Sequence, residues 1–95
     1  MAAYEALLVF NPQLEEEALE NVITKFEEVV KAGAGEITKS DRWGKRRLAY
    51  EINGCNEGFY HLMEINGSGS TISELDRVLR ISDDVIRHLI VKANT

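Results

Sequence analysis

An amphipathic helical segment between two strand-like segments is the feature that most limits how this chain can fold. Apolar residues recur every three or four positions through 14–33, which is the period of a helix with one buried face. We expect Gly33 to end this helix in a left-handed conformation. Before the helix, "YEALLVF" (4–10) is apolar on both alternating faces, as central strands are. After it, "GEITKSDRW" and "KRRLAYEIN" (35–53) predict a strand that bends or bulges at Gly44.

The same order of segments follows in the second half of the chain. "GCNEG" (54–58) predicts a turn, so the strand before it and "FYHLMEI" (59–65) should form a hairpin. A Gly/Ser-rich connection comes next, which we expect to be flexible. Thr71, with a glutamate three positions later, fits a capping box and places a second, shorter helix at 72–81. "VIRHLIVK" (85–92) predicts the last strand.

The order strand, helix, strand, strand, helix, strand predicts an α+β, ferredoxin-like sandwich. In this arrangement a four-stranded antiparallel sheet carries both helices on one face. Right-handed crossovers place the first and third strands in the centre and the second and fourth at the edges. A length of 95 residues suits one domain spanning 1–95. Because this fold hosts many unrelated functions, function has to be argued from particular residues.

The sequence gives no indication of export or of a membrane segment. Its apolar runs are shorter than the ~20 residues that a membrane helix needs. The opening "MAAYEALLVF" lacks the basic n-region and the cleavage site of a signal peptide. Cys55 is the only cysteine, so no internal disulfide can form. We therefore expect a reducing, cytoplasmic compartment.

Residue types that carry catalysis or bind metals do not occur in a usable pattern. The two histidines, His61 and His88, fall on different predicted strands, where we expect them to pack or to lie at the surface. Cys55 has no second thiol to form a metal pair. "GSGS" at 67–70 lacks the lysine and the spacing of a phosphate-binding loop. The sequence therefore predicts no enzyme, no cofactor and no metal.

Basic residues are concentrated in one short region of an acidic chain. The net charge is −5, and residues 1–36 hold eight acidic and two basic residues. Five of the eleven basic residues lie within 39–47, namely Lys39, Arg42, Lys45, Arg46 and Arg47. One interpretation is a solvated hairpin edge; the other is a surface that neutralises phosphates. On the second interpretation we expect recognition of RNA shape and backbone, weak in this chain alone and helped by another protein.

Three segments are distinctive: "DRWGKRRLAYEI" with the following "GFYHLMEI", the "YE" and "NP" that bound the first strand, and "LRISDDVIRHLIVK" near the end. Together they resemble one known family, the sixth protein of the bacterial small ribosomal subunit. The resemblance runs from Tyr4 to about Lys92, nearly the whole chain. Members commonly have a basic residue after the initiator Met, where this chain has Ala2.

The resemblance implies a structural protein without catalysis. It implies binding to the central domain of small-subunit ribosomal RNA, as a heterodimer with a small basic partner, protein S-eighteen of that subunit. It also implies which residues contact RNA or the partner: Lys45, Arg46, Arg47, Arg80, Arg87 and Lys92.

Two other classes of protein stay open at this point. A small-molecule regulatory or oligomerising module could share the fold, since open sheets of this type often pair. A phosphate-handling hydrolase of the same fold would need an asparagine to position water and an arginine in a phosphate-binding loop. Asn11 follows the first strand, but no arginine is near it in the sequence.

Overall fold

Four antiparallel strands form one sheet, and two helices pack on one of its faces. The computed structural model describes residues 2–52 and 54–93. The elements, in chain order, are β1 (Ala2–Phe10), α1 (Glu16–Ala32), β2 (Glu36–Ile52), β3 (Cys55–Gly67), α2 (Gly69–Ile81) and β4 (Val85–Lys92). The strand order is β2-β3-β1-β4, so β1 and β3 are central and β2 and β4 are edges. This confirms the predicted ferredoxin-like architecture.

The two faces of the sheet differ in what covers them. We call the face under the helices the closed face; it consists of Ala6, Leu8, Phe10, Met63 and Ile65, all at most 1% exposed. Side chains of a strand alternate between faces. The opposite or open face therefore carries the intervening residues, among them Leu7, Tyr60, Leu62, Leu89 and Val91.

Helix α1 covers the closed face with the apolar stripe that the sequence predicts. Its buried residues are Leu19, Ile23, Phe26 and Val30. The ring of Phe26 stacks on that of Phe10, with 6.2 Å between ring centroids. Helix α2 completes the core with Leu75 and Leu79. Burial of this shared apolar surface stabilises both helices on the sheet.

Gly33 ends α1 as its C-cap, but the predicted left-handed conformation is wrong. Gly33 has φ −88°, and the positive φ of 64° belongs to Ala34. Glycine suits position 33 for another reason: a Cβ there would lie 2.7 Å from Oγ1 of Thr71. The Thr71 hydroxyl donates a hydrogen bond of 2.7 Å to the Gly33 carbonyl, so the end of α1 contacts the start of α2.

The predicted start of α2 is also wrong, by a few residues. Ser68 is the N-cap, and its Oγ accepts a hydrogen bond from the Thr71 backbone N–H at 3.3 Å. Gly69 and Ser70, expected in a flexible connection, lie in the first turn of the helix. The predicted capping box fails because Ser68 is the residue that caps α2, which places Thr71 inside the first turn.

The β2–β3 hairpin is longer than the sequence suggests. The predicted bulge at Gly44 is confirmed by a positive φ of 84° and a register shift between Arg42 and Gly44. The predicted turn over 54–58 is too long, because β3 begins at Cys55. A second register shift separates the pairs Arg47–Glu57 and Ile52–Cys55, so extra β2 residues bulge near the tip.

Candidate functional site

The basic run Lys45, Arg46 and Arg47 lies on the exposed edge strand β2. β2 pairs only with β3, so its outer side has no neighbouring strand. Lys45 is opposite Phe59, whose own partner is Phe10 of the closed face. Lys45 and Arg47 therefore extend from the side of the sheet that carries the helices, and Arg46 from the open side. The run presents cations on both sides of one edge.

The basic residues of this edge differ in whether a carboxylate neutralises them. Arg42 forms ion pairs with Glu16 and Glu20 of α1. Lys39 pairs with Glu64 of β3 at 3.8 Å. Among the residues that the structure describes, Lys45, Arg46 and Arg47 form no ion pair, and Lys45 and Arg46 each lie against an aromatic ring. The Lys45 Nζ lies 5.3 Å from the Phe59 ring centroid and the Arg46 Cζ 5.6 Å from that of Trp43.

Arg80 and Lys92 come together at the other end of the sheet. They line a cleft of about 320 Å³ between α2, β1 and β4, together with Tyr4, Ile72, Ser73, Asp76 and Ile90. Arg80 is in the last turn of α2 and donates to Asp76 Oδ2 at 2.7 Å. His88 Nε2 lies 2.8 Å from the other oxygen of Asp76. This hydrogen bond, with the charge of Arg80 acting in the same direction, holds the pKa of the Asp76 carboxyl below its ordinary value.

Arg87 contacts the hairpin from the edge strand β4. It lies on the open side of β4, because it pairs with Val9 and alternates with His88. Its guanidinium donates a hydrogen bond of 2.8 Å to the Tyr50 hydroxyl near the hairpin tip. The six residues implied by the resemblance therefore do not form one patch. The structure groups Lys45, Arg46 and Arg47 on one edge and Arg80 and Lys92 at the other, and Arg87 bridges toward the hairpin.

Sequence reasoning missed an apolar surface on the open face. Leu89 is 52% exposed, Val91 44% and Trp43 40%, all large side chains left in contact with water. Leu7, Val9, Tyr60, Arg87 and Leu89 line a small cavity of about 170 Å³ on this face. Clustered apolar exposure marks surfaces that other molecules cover. The signal was available in "VIRHLIVK", where residues on both alternating faces are apolar.

The two histidines lie in polar contacts within the fold. His61 is only 4% exposed, and its Nε2 lies 2.8 Å from the Ser40 Oγ. Burial lowers the pKa of His61. Within residues 2–52 and 54–93, no group of three or more potential metal ligands occurs. In the same residues, neither helix is long and apolar enough to cross a membrane.

Comparison with known proteins identifies relatives over nearly the whole chain. A family described as "Ribosomal protein S6" matches residues 3–92. The small ribosomal subunit protein bS6 of Heliobacterium modesticaldum is 49% identical over 92 residues, covering 97% of this chain and 96% of that protein. The bS6 protein of Carboxydothermus hydrogenoformans is 46% identical over 89 residues, covering 94% and 93%.

A solved structure agrees with these sequence relatives. The crystal structure of 30S ribosomal protein S6 from Thermotoga maritima has a TM-score of 0.92 and 29% identity, covering 97% of this chain and 87% of that one. These relatives are ribosomal proteins and not enzymes, so the chain is not an enzyme. On the agreement of family match, sequence identity and fold, the chain belongs to the ribosomal protein S6 family.

Proposed function

We propose that this chain is a structural protein of the bacterial small ribosomal subunit and acts in the ribosome, in the cytoplasm. It binds the central domain of small-subunit ribosomal RNA jointly with a small basic ribosomal protein, S-eighteen. Residues 1–95 serve as one RNA-binding domain. The family match and the names of the relatives, which are small ribosomal subunit proteins, support this proposal.

The observation that carries the RNA-binding part is the unpaired cation run on β2. Lys45, Arg46 and Arg47 are exposed, consecutive and without a carboxylate partner among the described residues, whereas Arg42 and Lys39 are paired. An unpaired cation can neutralise a phosphate without first giving up an internal ion pair. Arginine adds two parallel donors that match phosphate oxygens. The edge is therefore suited to contacts with an RNA backbone.

The remaining predicted residues support a second contact region. Lys92 and Arg80 line the same cleft together with Tyr4 and Ser73, which suits a single phosphate group. Asp76 in that cleft is ion-paired with Arg80 and lies within hydrogen-bond distance of His88, so Lys92 supplies the net positive charge of the cleft. Arg87 is held by Tyr50 on the open face. We assign Arg80, Arg87 and Lys92 to RNA or partner contact on this basis.

The need for a partner protein follows from charge and from the open face. A chain of net charge −5 gains no long-range attraction to RNA, so a basic partner would supply much of the phosphate neutralisation. The exposed apolar residues Leu89 and Val91 offer that partner a surface to cover. The two halves of the proposal thus use different parts of the sheet: the β2 edge for RNA, and the part of the open face formed by β4 for protein.

The test is gel-shift binding to a central-domain ribosomal RNA fragment at two salt concentrations, with and without the partner. We expect tight, salt-sensitive binding only when both proteins are present. Replacing Lys45, Arg46 and Arg47 by alanine should weaken binding on the order of 100-fold, from about 1 kcal/mol for each of three contacts. The slope of log affinity against log salt should fall by about 2 to 3.

A matched variant controls for the change in net charge. Replacing Lys25, Lys31 and Arg77 by alanine also removes three cations, but from the two helices and away from the β2 edge. This variant should keep RNA affinity within about threefold, because screening weakens charges that lie beyond a Debye length. Equal losses in the two triple variants would show that net charge, and not the β2 edge, controls binding. Absence of binding by the wild-type pair would overturn the proposed function.

The open face also supports a second candidate function, an oligomerising module. Its exposed apolar residues would suit a second copy of the chain as well as a different protein. Light scattering separates the two cases. A stable homodimer without RNA affinity would favour the oligomerising module, and a monomer that binds RNA with its partner would exclude it.

A further inference from the structure

Trp43 is held rigidly on the edge of the sheet, next to the basic run. Its ring is parallel to that of Tyr60 within 4°, with 6.4 Å between centroids, which is an offset stack. Its indole N–H donates a hydrogen bond of 3.1 Å to Asp41 Oδ2. The bulge at Gly44 follows directly. A ring held by both a neighbouring ring and a hydrogen bond is ordered before any ligand arrives.

The fixed ring is nevertheless left in contact with water. Trp43 is 40% exposed, although a tryptophan is among the residues that gain most from burial. The offset of the stack means that Tyr60 covers only part of the indole. The Arg46 guanidinium carbon lies 5.6 Å from the indole centroid, so a cation accompanies the exposed aromatic surface. No contact inside the described part of the chain explains why this apolar surface stays open.

The chemistry around Trp43 favours a nucleobase over a protein side chain. Unpaired bases stack on aromatic rings and on arginine planes, and this stacking tolerates any sequence because every base has a π-face. Arg46 extends from the same side of the edge as the ring and carries no ion pair among the described residues, so it can meet a phosphate of the stacked nucleotide, whereas Lys45 and Arg47 extend from the other side and can meet neighbouring phosphates. A positively charged surround complements RNA and gives no comparable advantage to an apolar peptide.

We propose that Trp43, supported by Tyr60 and accompanied by Arg46, is a stacking platform for an unpaired nucleobase of the bound RNA. The proposal rests on the proposed function, because it requires that RNA reach the β2 edge. It divides the edge into two kinds of contact. The platform supplies stacking that depends little on salt, and the neighbouring cations supply phosphate contacts that depend strongly on salt.

The test uses Trp43 as its own reporter, because it is the only tryptophan in the chain. The probe is the central-domain ribosomal RNA fragment, titrated into the wild-type chain in the presence of its basic partner. Base stacking should quench the Trp43 fluorescence in proportion to the RNA bound. A partner that contains tryptophan would be prepared with phenylalanine in its place.

Variants then separate stacking from folding and from charge. Trp43→Leu should weaken RNA binding about 5- to 150-fold while leaving the salt slope unchanged. Trp43→Phe should restore most of the lost affinity, which a structural role alone would not require. Ile81→Ala removes a similarly exposed apolar side chain from the end of α2 and should leave affinity unchanged. Urea unfolding of each variant identifies any loss that comes from instability.

The possible outcomes distinguish this proposal from the one it rests on. The platform would be overturned if RNA saturated the protein without changing the fluorescence and if Trp43→Leu bound RNA with wild-type affinity. The proposed function would then remain intact. If the fluorescence changed when the partner was added and did not change further with RNA, Trp43 would contact the partner protein. That result would also overturn the platform. No RNA binding by the wild-type pair would overturn both.

Discussion

The closed and open faces of the sheet carry similar apolar side chains but differ in what covers them. On β1, Leu8 is completely buried beneath the helices, whereas Leu7, its neighbour on the open face, is only partly buried. On β4, the open face leaves Leu89 52% exposed. Leucine thus stabilises the core on one face and remains free to contact another molecule on the other. Apolar composition alone therefore does not tell which residues hold the fold together.

The largest expected effect separates the two faces by stability. Leu8→Ala should lower the free energy of unfolding by about 3–5 kcal/mol, because it removes buried methyl groups and leaves a cavity in the core. Leu89→Ala should change that free energy by no more than about 0.5 kcal/mol. Urea unfolding measures both. In a pull-down assay, Leu89→Ala should weaken capture of the basic partner, and Leu8→Ala should not if it stays folded. Similar stability losses for the two variants would remove the distinction between the faces.

A smaller effect concerns the one buried histidine of the closed face. Burial lowers the pKa of His61, and Arg42 acts in the same direction, while Glu27 and Asp41 oppose the shift. The folded chain therefore binds this proton less readily than the unfolded chain. The stability contributed by His61 is fully present above pH 6.5, the ordinary histidine value, and is lost as the pH falls below it.

Urea unfolding between pH 8 and pH 5 measures this dependence. One such group can contribute at most about 1.4 kcal/mol per pH unit. His61→Gln should flatten the profile below pH 6.5, because glutamine does not titrate. His88→Gln is the matched control and should leave the His61 contribution in place. If the His61→Gln profile kept the wild-type slope, the buried imidazole would not be the source of acid sensitivity.

The smallest expected effect lies on the open face. Tyr50→Phe removes the hydroxyl that accepts a hydrogen bond from Arg87. Because both groups are exposed, the free energy of unfolding should fall by only about 0.5 kcal/mol. Tyr4→Phe is a control at a partly buried tyrosine, and it should leave the hydrogen bond between Arg87 and Tyr50 in place. Faster amide exchange near the hairpin tip in Tyr50→Phe alone would show that this bond orders the tip. Equal exchange in both variants would contradict that role.

The architecture could be predicted because local patterns encode it. The helical stripe of α1 and the doubly apolar strand β1 follow from residue spacing, and the order of elements then leaves few topologies. The prediction for Thr71 failed because Ser68, three positions earlier, is the residue that caps α2. The Thr71 hydroxyl instead donates to the Gly33 carbonyl, 38 positions earlier in the sequence, and local capping rules contain no information on such a contact.

The candidate site was predictable only in part, again because of long-range contacts. The sequence located the basic cluster but could not show which of its residues form ion pairs. Arg42 is neutralised by Glu16, 26 positions earlier, and the fold alone brings them together. The sequence also could not predict that the Trp43 ring is stacked, since its partner Tyr60 lies on the neighbouring strand. The fold determines which basic residues lack an ion pair and which aromatic rings are stacked.

The strand order has a consequence for how the chain acquires its structure during synthesis. In the order β2-β3-β1-β4, the strands of the first half are never neighbours, and neither are those of the second half. The growing chain therefore cannot form any of the observed strand pairs until β3 has left the exit tunnel. Until then α1 has no complete surface to cover. A product truncated after Ile52 would have two strands without partners and would be a natural substrate for chaperones and proteases.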